Sequence, residues 1–426
     1  SASPDLTPST SPSIPAAVEV DPAPLGWLAW HSLGTIPSAD IRGVVGFAKG
    51  YVAFASSGPA RLVYYSPDGR TWRPVTLPFN TTKAAFSPGI WAVTTDGTHL
   101  LAVGGYAHTP CIPALMPSTG SDTTGGGPPC PLAPISWISA DGITWKIGFP
   151  GPLPADPPGY MPGYTQGSEF VAAWPVPTGG WDAALSHWNG EFLGGQGLMH
   201  SVDGLRWTRL ATPPAADVAT DFPPFAHAGV ADAGGLRVVW QDWDERAPAD
   251  SPTGNGRFVA TVATYLDGRT WTDVGGFPGD NAHVLLGVAP GDGGSRWVLA
   301  GSSGPASGTE ATTPTLWTSV DARTWTLMAL PIASGVRDVT GLVHGAPGYV
   351  AVSGYRGMGD MWGSGEATSH ETWLSADGFT WTELPVSGPA GADYGPGLVA
   401  DGPAGVIGIS LSPTDPDHAS TVWQLR

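Results

Sequence analysis

Basic residues are scarce in this chain. Lysine and arginine number 18 among 426 residues, against 36 aspartates and glutamates, giving a formal net charge of −18. A phosphate backbone or an anionic bilayer would be repelled, so neither nucleic acid nor a charged membrane surface is an expected partner. No run of about 18 apolar residues occurs, so nothing reads as a membrane-spanning segment. The 10 histidines show no H-E-x-x-H spacing, and no glycine loop has the pattern that cradles phosphate. Uninterrupted helix-forming stretches are missing as well. The 61 glycines and 45 prolines together make about a quarter of the chain, which excludes an all-helical or a doubly wound α/β fold.

Cysteine is nearly absent. Cys111 and Cys130 flank a Gly/Pro/Ser/Thr stretch that cannot form a core element. A disulfide closing such a loop would stabilise by roughly 3 kcal/mol on the loop-entropy account, and it implies an oxidising, extracytoplasmic compartment. A metal site is the alternative, although two thiols fall short of the usual four ligands. Residues 1–24 are rich in Ser, Thr, Pro and Ala. They read either as a stalk following a cleaved export signal or as a plain disordered tail.

What the chain does have is a repeat. One motif occurs six times: SPDGRTW at 66–72, SADGITW at 139–145, SVDGLRW at 201–207, YLDGRTW at 265–271, SVDARTW at 319–325 and SADGFTW at 375–381. An alternating apolar run enters each copy, and the Asp-Gly pair supplies a tight turn. Thr and Trp then begin the return strand, so each copy predicts a β-hairpin. A second hairpin lies upstream, as in VVGFAKGYVAFAS, LLGVAPGDGGSRWVLAG and VTGLVHGAPGYVAVSG. The unit is therefore four antiparallel strands, of a size that fits a propeller blade.

Six complete units give six blades. Strands near 395–399, 405–410 and 421–425 form a seventh set that lacks its fourth member. The half-motif around Trp30 supplies it. The expectation is an all-β, seven-bladed propeller over residues 25–426, its N-terminal strand closing the last blade and removing exposed sheet edges.

The S-x-D-G-x-T-W copies resemble the Asp box, or BNR repeat, of the sialidase-like β-propeller superfamily, one residue shorter than the common form. The resemblance covers about residues 27–426. It implies the propeller fold and is nearly silent on activity, because a fold of this kind hosts many functions. Sialidases carry an Arg-Ile-Pro motif near the start; the nearest segment here is Thr35-Ile36-Pro37, so sialidase activity is not expected. The repeated acids Asp68, Asp141, Asp203, Asp267, Asp321 and Asp377 read as turn caps, since chemistry needs one or two carboxylates and not six equivalents.

In such a unit the first-to-second and third-to-fourth turns share one end of the sheet, and the other connections share the opposite end. The short turns fall on the first end. Nearly all the extra length, including 108–133, 146–180, 242–256 and 355–369, falls on the second. One-sided elaboration suits a scaffold that presents loops for binding. Aligning the first strands puts Arg42, His283, Arg337, Asp393 and Asp182 at the channel mouth on that side, with Asp338 and Tyr394 one step further. Arg42 and Arg337 are expected to bind a carboxylate or sugar hydroxyls, and His283, Asp338 and Tyr394 are the catalytic candidates. The competing expectation is a set of Arg–Asp pairs satisfying one another around a wet channel.

Tyr160, Tyr164, Trp243, Tyr355 and Trp362 add aromatic ligand-binding candidates on the loops. The acidic run Asp242, Asp244, Glu245 offers oxygen ligands of the kind calcium takes but has no loop signature, so a solvated loop is expected and no metal or cofactor is assigned. The functional expectation is an exported binding or scaffold module whose partner is a glycan or a surface protein. The alternative is a glycoside hydrolase or polysaccharide lyase acting at the mouth.

Overall fold

The computed structural model describes residues 28–37, 41–55, 62–79, 89–107, 132–149, 167–176, 179–188, 193–210, 227–233, 236–242, 244–245, 257–258, 261–265, 272–273, 282–290, 296–303, 313–328, 330, 339–353, 371–384, 395–410 and 419–426. Among them every regular element is a strand. Strands pair antiparallel in chain order into four-stranded sheets. The first sheet holds Ile41–Phe47, Gly50–Ala55, Leu62–Ser66 and Arg73–Thr76. The second holds Gly89–Thr95, Leu100–Ala107, Leu132–Ser139 and Trp145–Gly148; the third, Gly167–Pro175, Trp181–Trp188, Leu193–Ser201 and Thr208–Arg209. The fourth holds His227–Ala233, Leu236–Asp242, Thr261–Tyr265 and Thr272–Asp273; the fifth, Ala282–Pro290, Trp297–Ser303, Thr313–Ser319 and Thr326–Met328. The sixth holds Val339–Gly345, Gly348–Ser353, Thr372–Ser375 and Thr382–Leu384.

A seventh four-stranded sheet takes three strands from the end of the chain, Leu398–Gly402, Gly405–Ile409 and Ser420–Leu425, and its fourth, Trp30–Ile36, from the beginning. Trp30 pairs with Leu425 and Ile36 with Ser420. The first strand of each sheet packs against the first strand of the next, from the first sheet through to the seventh, and the seventh packs back on the first.

Apolar clusters fill the spaces between neighbouring sheets. Val52, Val63 and Tyr65 of the first sheet meet Ile90, Leu100, Ala102 and Trp137 of the second. Val350, Val352 and Leu374 of the sixth meet Val406, Trp423 and Trp30 of the seventh. Each such side chain contributes roughly 1.5–3 kcal/mol when fully buried. Strand alternation accounts for part of the pattern: Ala172 and Trp174, set two apart along Gly167–Pro175, are both buried.

The six-fold motif forms the turn between third and fourth strands. In five described copies the aspartate Oδ1 accepts the backbone N–H groups two and three residues on, at 2.9 and 3.0 Å for Asp68 and 2.8 and 2.6 Å for Asp141. The preceding serine hydroxyl donates to the same oxygen, as Ser66 does to Asp68 and Ser375 to Asp377 at 3.1 Å. In three of these copies the Trp Nε1 closes the turn on the glycine carbonyl, at 3.0 Å for Trp72, 3.2 Å for Trp145 and 3.3 Å for Trp381, whereas Trp207 Nε1 donates to Ser136 Oγ at 3.1 Å. Gly142 has φ +74°, and a Cβ there would stand 2.5 Å from the Tyr65 ring of the preceding sheet. Glycine thus serves both the turn conformation and the close packing of one sheet on the last. The fifth sheet has Ala322 there instead, at φ 56°. Asp267 lies outside the described residues, as do residues 1–27, Cys111 and Cys130.

Candidate functional site

Strand direction fixes two ends. Turns such as Ala48–Lys49 and Ala346–Pro347 join first strands to second at one end, with the repeat turns beside them. Neighbouring sheets align these ends, because the Ala48 N–H donates to the Gly97 carbonyl across the first and second sheets at 2.8 Å. Tyr51 does likewise across the seam between first and seventh sheets. Its hydroxyl donates to the Gly405 carbonyl at 2.6 Å and accepts the Ala404 N–H at 2.9 Å. Burial outweighs that N–H and pushes the phenol up to about 12. At the opposite, loop-bearing end the first and third strands begin and the second and fourth strands end.

At the loop-bearing end the first strands carry a recurring irregularity. Register breaks between Ile41 and Gly43, Ile90 and Ala92, Phe170 and Ala172, Leu285 and Gly287, and Val339 and Gly341. In each case the strand-to-strand register skips one residue: Arg42, Trp91, Val171, Leu286 and Thr340. Such bulges re-aim a side chain and collect at functional rims. Two of the bulged side chains reach the first strand of the following sheet. Thr340 Oγ1 donates to the Gly397 carbonyl at 2.6 Å, and Trp91 Nε1 donates to Glu169 Oε2 at 2.7 Å.

Glu169 and Trp91 make the most distinctive arrangement at this end. The Glu169 side chain is buried, whereas Trp91 is 54% exposed. The carboxyl fits because Gly105 faces it; a Cβ at Gly105 would stand 2.6 Å from Glu169 Oε2. Burial raises the carboxyl pKa, and the Trp91 N–H offsets only part of that. Nearby, Phe79, Tyr106 and Phe149 form an edge-to-face row, with centroids 5.5 and 6.0 Å apart. Sequence reasoning missed Trp91 and Glu169. The bulge that frees Trp91, and the register that sets Glu169 opposite it on the next sheet, are the signal that places them, and they become visible only once strands are paired.

The residues expected at the mouth are redistributed. Arg42 is exposed at the bulge of the first sheet. His283 lies on the first strand of the fifth sheet, but the position matching Arg42 there is Leu286, and His283 sits at a separate register break between Ala282 and Val284. In the sixth sheet the matching position is Thr340, not Arg337. Asp182 is not on a first strand. The stretch 146–180, read as loop, contains the strand Gly167–Pro175, which makes Trp181–Trp188 the second strand and places Asp182 beside the hairpin turn at the opposite end. Arg337, Asp338, Asp393, Tyr394, Tyr160, Tyr164, Trp243, Tyr355 and Trp362 lie outside the described residues. Of the acidic run, Asp244–Glu245 pairs with Arg257–Phe258 in a small hairpin.

Asp182 has its own distinction. It is buried and accepts or shares a proton with His200 Nδ1 at 2.7 Å, directly across the strand pair. The same cross-strand position holds Val52–Tyr65, Leu101–Ile138, Val298–Thr318 and Val350–Leu374 in other sheets.

The repeat aspartates are held as anions. The Thr71 amide is the chief cause that lowers the Asp68 pKa. For Asp141, Asp203, Asp321 and Asp377 burial pushes upward, and the turn amides and serine hydroxyl outweigh it. A carboxylate saturated by turn amides serves poorly as a proton donor, which agrees with the capping role.

No family model and no curated protein matches the chain. Among solved structures it is similar to Trypanosoma rangeli sialidase, with 13% identity and a TM-score of 0.47, covering 93% of this chain and 59% of the sialidase. It is also similar to the β-propeller domain of the Trilobed protease from Pyrococcus furiosus, with 8% identity and a TM-score of 0.44, covering 91% and 97% of the two chains. A third is the α-L-arabinofuranosidase Arb93A from Fusarium graminearum, with 10% identity and a TM-score of 0.41, covering 93% and 98%. The chain thus spans about three fifths of the sialidase. With TM-scores below 0.5, these likenesses carry no argument about activity.

Proposed function

We propose that the sheets are the seven blades of a closed propeller, and that the protein is an exported binding module presenting its loop-bearing end to a glycan or a surface protein. The observation that carries this reading is the asymmetry of the sheets. Turns of a few residues tie one end together, while the long connections and the bulged first strands share the other. An extracytoplasmic location belongs to the same reading and rests on the cysteine-flanked loop of the sequence. A glycan array probed with the purified chain tests it. Binding to defined glycans supports the reading; an empty array together with no bound surface protein refutes it.

One observation favours a second reading, a carbohydrate-active enzyme. Glu169 is a buried carboxyl whose pKa burial raises, the direction in which a general acid is tuned. Release of reducing ends or of unsaturated products from a polysaccharide panel would support it. Loss of that turnover in Arg337→Ala, His283→Ala or Tyr394→Phe would give those residues their expected roles.

A further inference from the structure

We infer that Trp91 and Glu169 form a carbohydrate subsite for an uncharged pyranose unit, the Trp91 ring serving as its platform and the Glu169 carboxyl as its hydroxyl partner. The inference rests on the binding-module reading and names the ligand class and the residues.

The indole is placed as a platform must be. A bulge removes it from the strand ladder, since Ile90 pairs with Gly104 and Ala92 with Val103 while Trp91 pairs with nothing. Half of its surface meets solvent. Its one polar atom is already bonded to Glu169 at 2.7 Å, which fixes the ring before any ligand arrives. A pre-fixed aromatic face costs little ordering on binding, and a sugar's C–H face matches it.

The carboxyl is built in with equal care. Glu169 precedes Phe170, whose fully buried side chain anchors that end of the strand. The absence of a side chain at Gly105 makes its space. One oxygen takes the indole N–H; the other is not among the buried polar atoms left unsatisfied, so it is open to solvent and to a ligand. A ligand hydroxyl satisfies it, as donor to a carboxylate or acceptor from an acid.

Charge selects the class. A ligand carboxylate or sulfate would approach a chain of net charge −18 and sit beside another carboxyl. A neutral pyranose avoids both penalties. Burial already raises the Glu169 pKa, and an anionic ligand beside it would raise it further at a cost to binding.

Isothermal titration with neutral xylo-, cello-, manno- and malto-hexaose, and with hexagalacturonate as the charged comparison, tests this. The wild-type chain is expected to bind at least one neutral probe and to leave the uronate unbound. Trp91→Ala is expected to weaken that binding by about tenfold or more, the equivalent of one lost anchor contact. Trp91 is exposed, so this variant retains the fold, checked by its unfolding midpoint. Glu169→Ala should weaken binding comparably, and Glu169→Gln should recover part of it, because the amide oxygen still accepts the indole N–H.

Binding of a neutral probe undiminished in both Trp91→Ala and Glu169→Ala would overturn the subsite and leave the binding-module reading standing. Binding of the uronate alone would overturn the neutral ligand class in the same way. If no probe binds and a glycan array is also empty, the subsite fails together with the glycan reading.

Discussion

Replacing Gly142 by alanine tests how one sheet rests on the next. Two costs arise and they are separable. The first is conformational: φ is +74°, and an L side chain in that region costs about 1–2 kcal/mol. The second is steric. The new Cβ would lie 2.5 Å from Tyr65 Cδ2, 2.9 Å from Cε2 and 3.3 Å from Phe47 Cζ. Tyr65 cannot swing aside, because its hydroxyl donates to the Lys49 carbonyl at 2.7 Å and its ring is buried. Overpacking of this kind costs about 1–3 kcal/mol, so Gly142→Ala should lose about 2–5 kcal/mol in total. Gly405→Ala is the control. Its φ is +88° with nothing within 4 Å of the new methyl, so it should lose the conformational share alone. Ala322 shows that the repeat turn itself accepts a Cβ at φ 56°, and Ala322→Gly should be nearly neutral, relief of strain being offset by greater freedom of the unfolded chain. Urea unfolding midpoints and slopes provide the assay. If Gly142→Ala falls within about 0.5 kcal/mol of Gly405→Ala, a size ordinary for surface changes, the inter-sheet packing argument is wrong.

Acid should destabilise the fold. The repeat aspartates have folded-state pKa values below their unfolded ones, so their stabilising share is present above about pH 4 and is lost as pH falls through the lowered values. Stability measured from pH 6 to pH 3 should fall, and Asp141→Asn should flatten the curve over that window. Tyr51→Phe should cost about 1–3 kcal/mol, because two backbone groups at the seam lose their partner; amide exchange at Ala404 should quicken with it. His200→Leu should destabilise by removing the cross-strand hydrogen bond to the buried Asp182, whereas the double variant Asp182→Val, His200→Leu should recover the loss, since two other sheets hold an apolar pair there, Leu101–Ile138 and Val350–Leu374. A double-mutant cycle measures the difference.

Much of the strand pattern could be read directly because its physics is local. An Asp-Gly turn, an entering apolar run and a returning Trp are each decided within seven residues. The half-motif around Trp30 was readable as an orphan, and the structure pairs that strand with Ser420–Leu425. The tryptophan excess has a second source that the motif did not reveal. Trp137, Trp317 and Trp373 lie two residues before the repeat serine on third strands and are fully buried between sheets. Burial of that kind depends on a neighbour far along the chain, so no short window announces it.

The mouth was harder for a reason that lies in strand geometry. A shift of two residues leaves every side chain on its proper face, so apolar alternation cannot detect it. In the sixth sheet Arg337 stands three positions before Thr340, the residue that occupies the place of Arg42. A bulge adds one more residue that alternation does not expect, and here a bulge stands at the very position being aligned. The third sheet compounded both effects, because its first strand was hidden in a stretch read as loop and Asp182 was promoted to a rim it does not occupy. The residues that the sequence made conspicuous were the charged ones. Those that the fold brings together at the rim, Trp91 and Glu169, are 78 positions apart and belong to no motif. Their meeting depends on two pieces of irregularity, the bulge that frees the indole and the glycine that admits the carboxyl. A repeat sequence advertises what its copies share. The site must be built from what they do not share, and for that the register of every strand has to be known first.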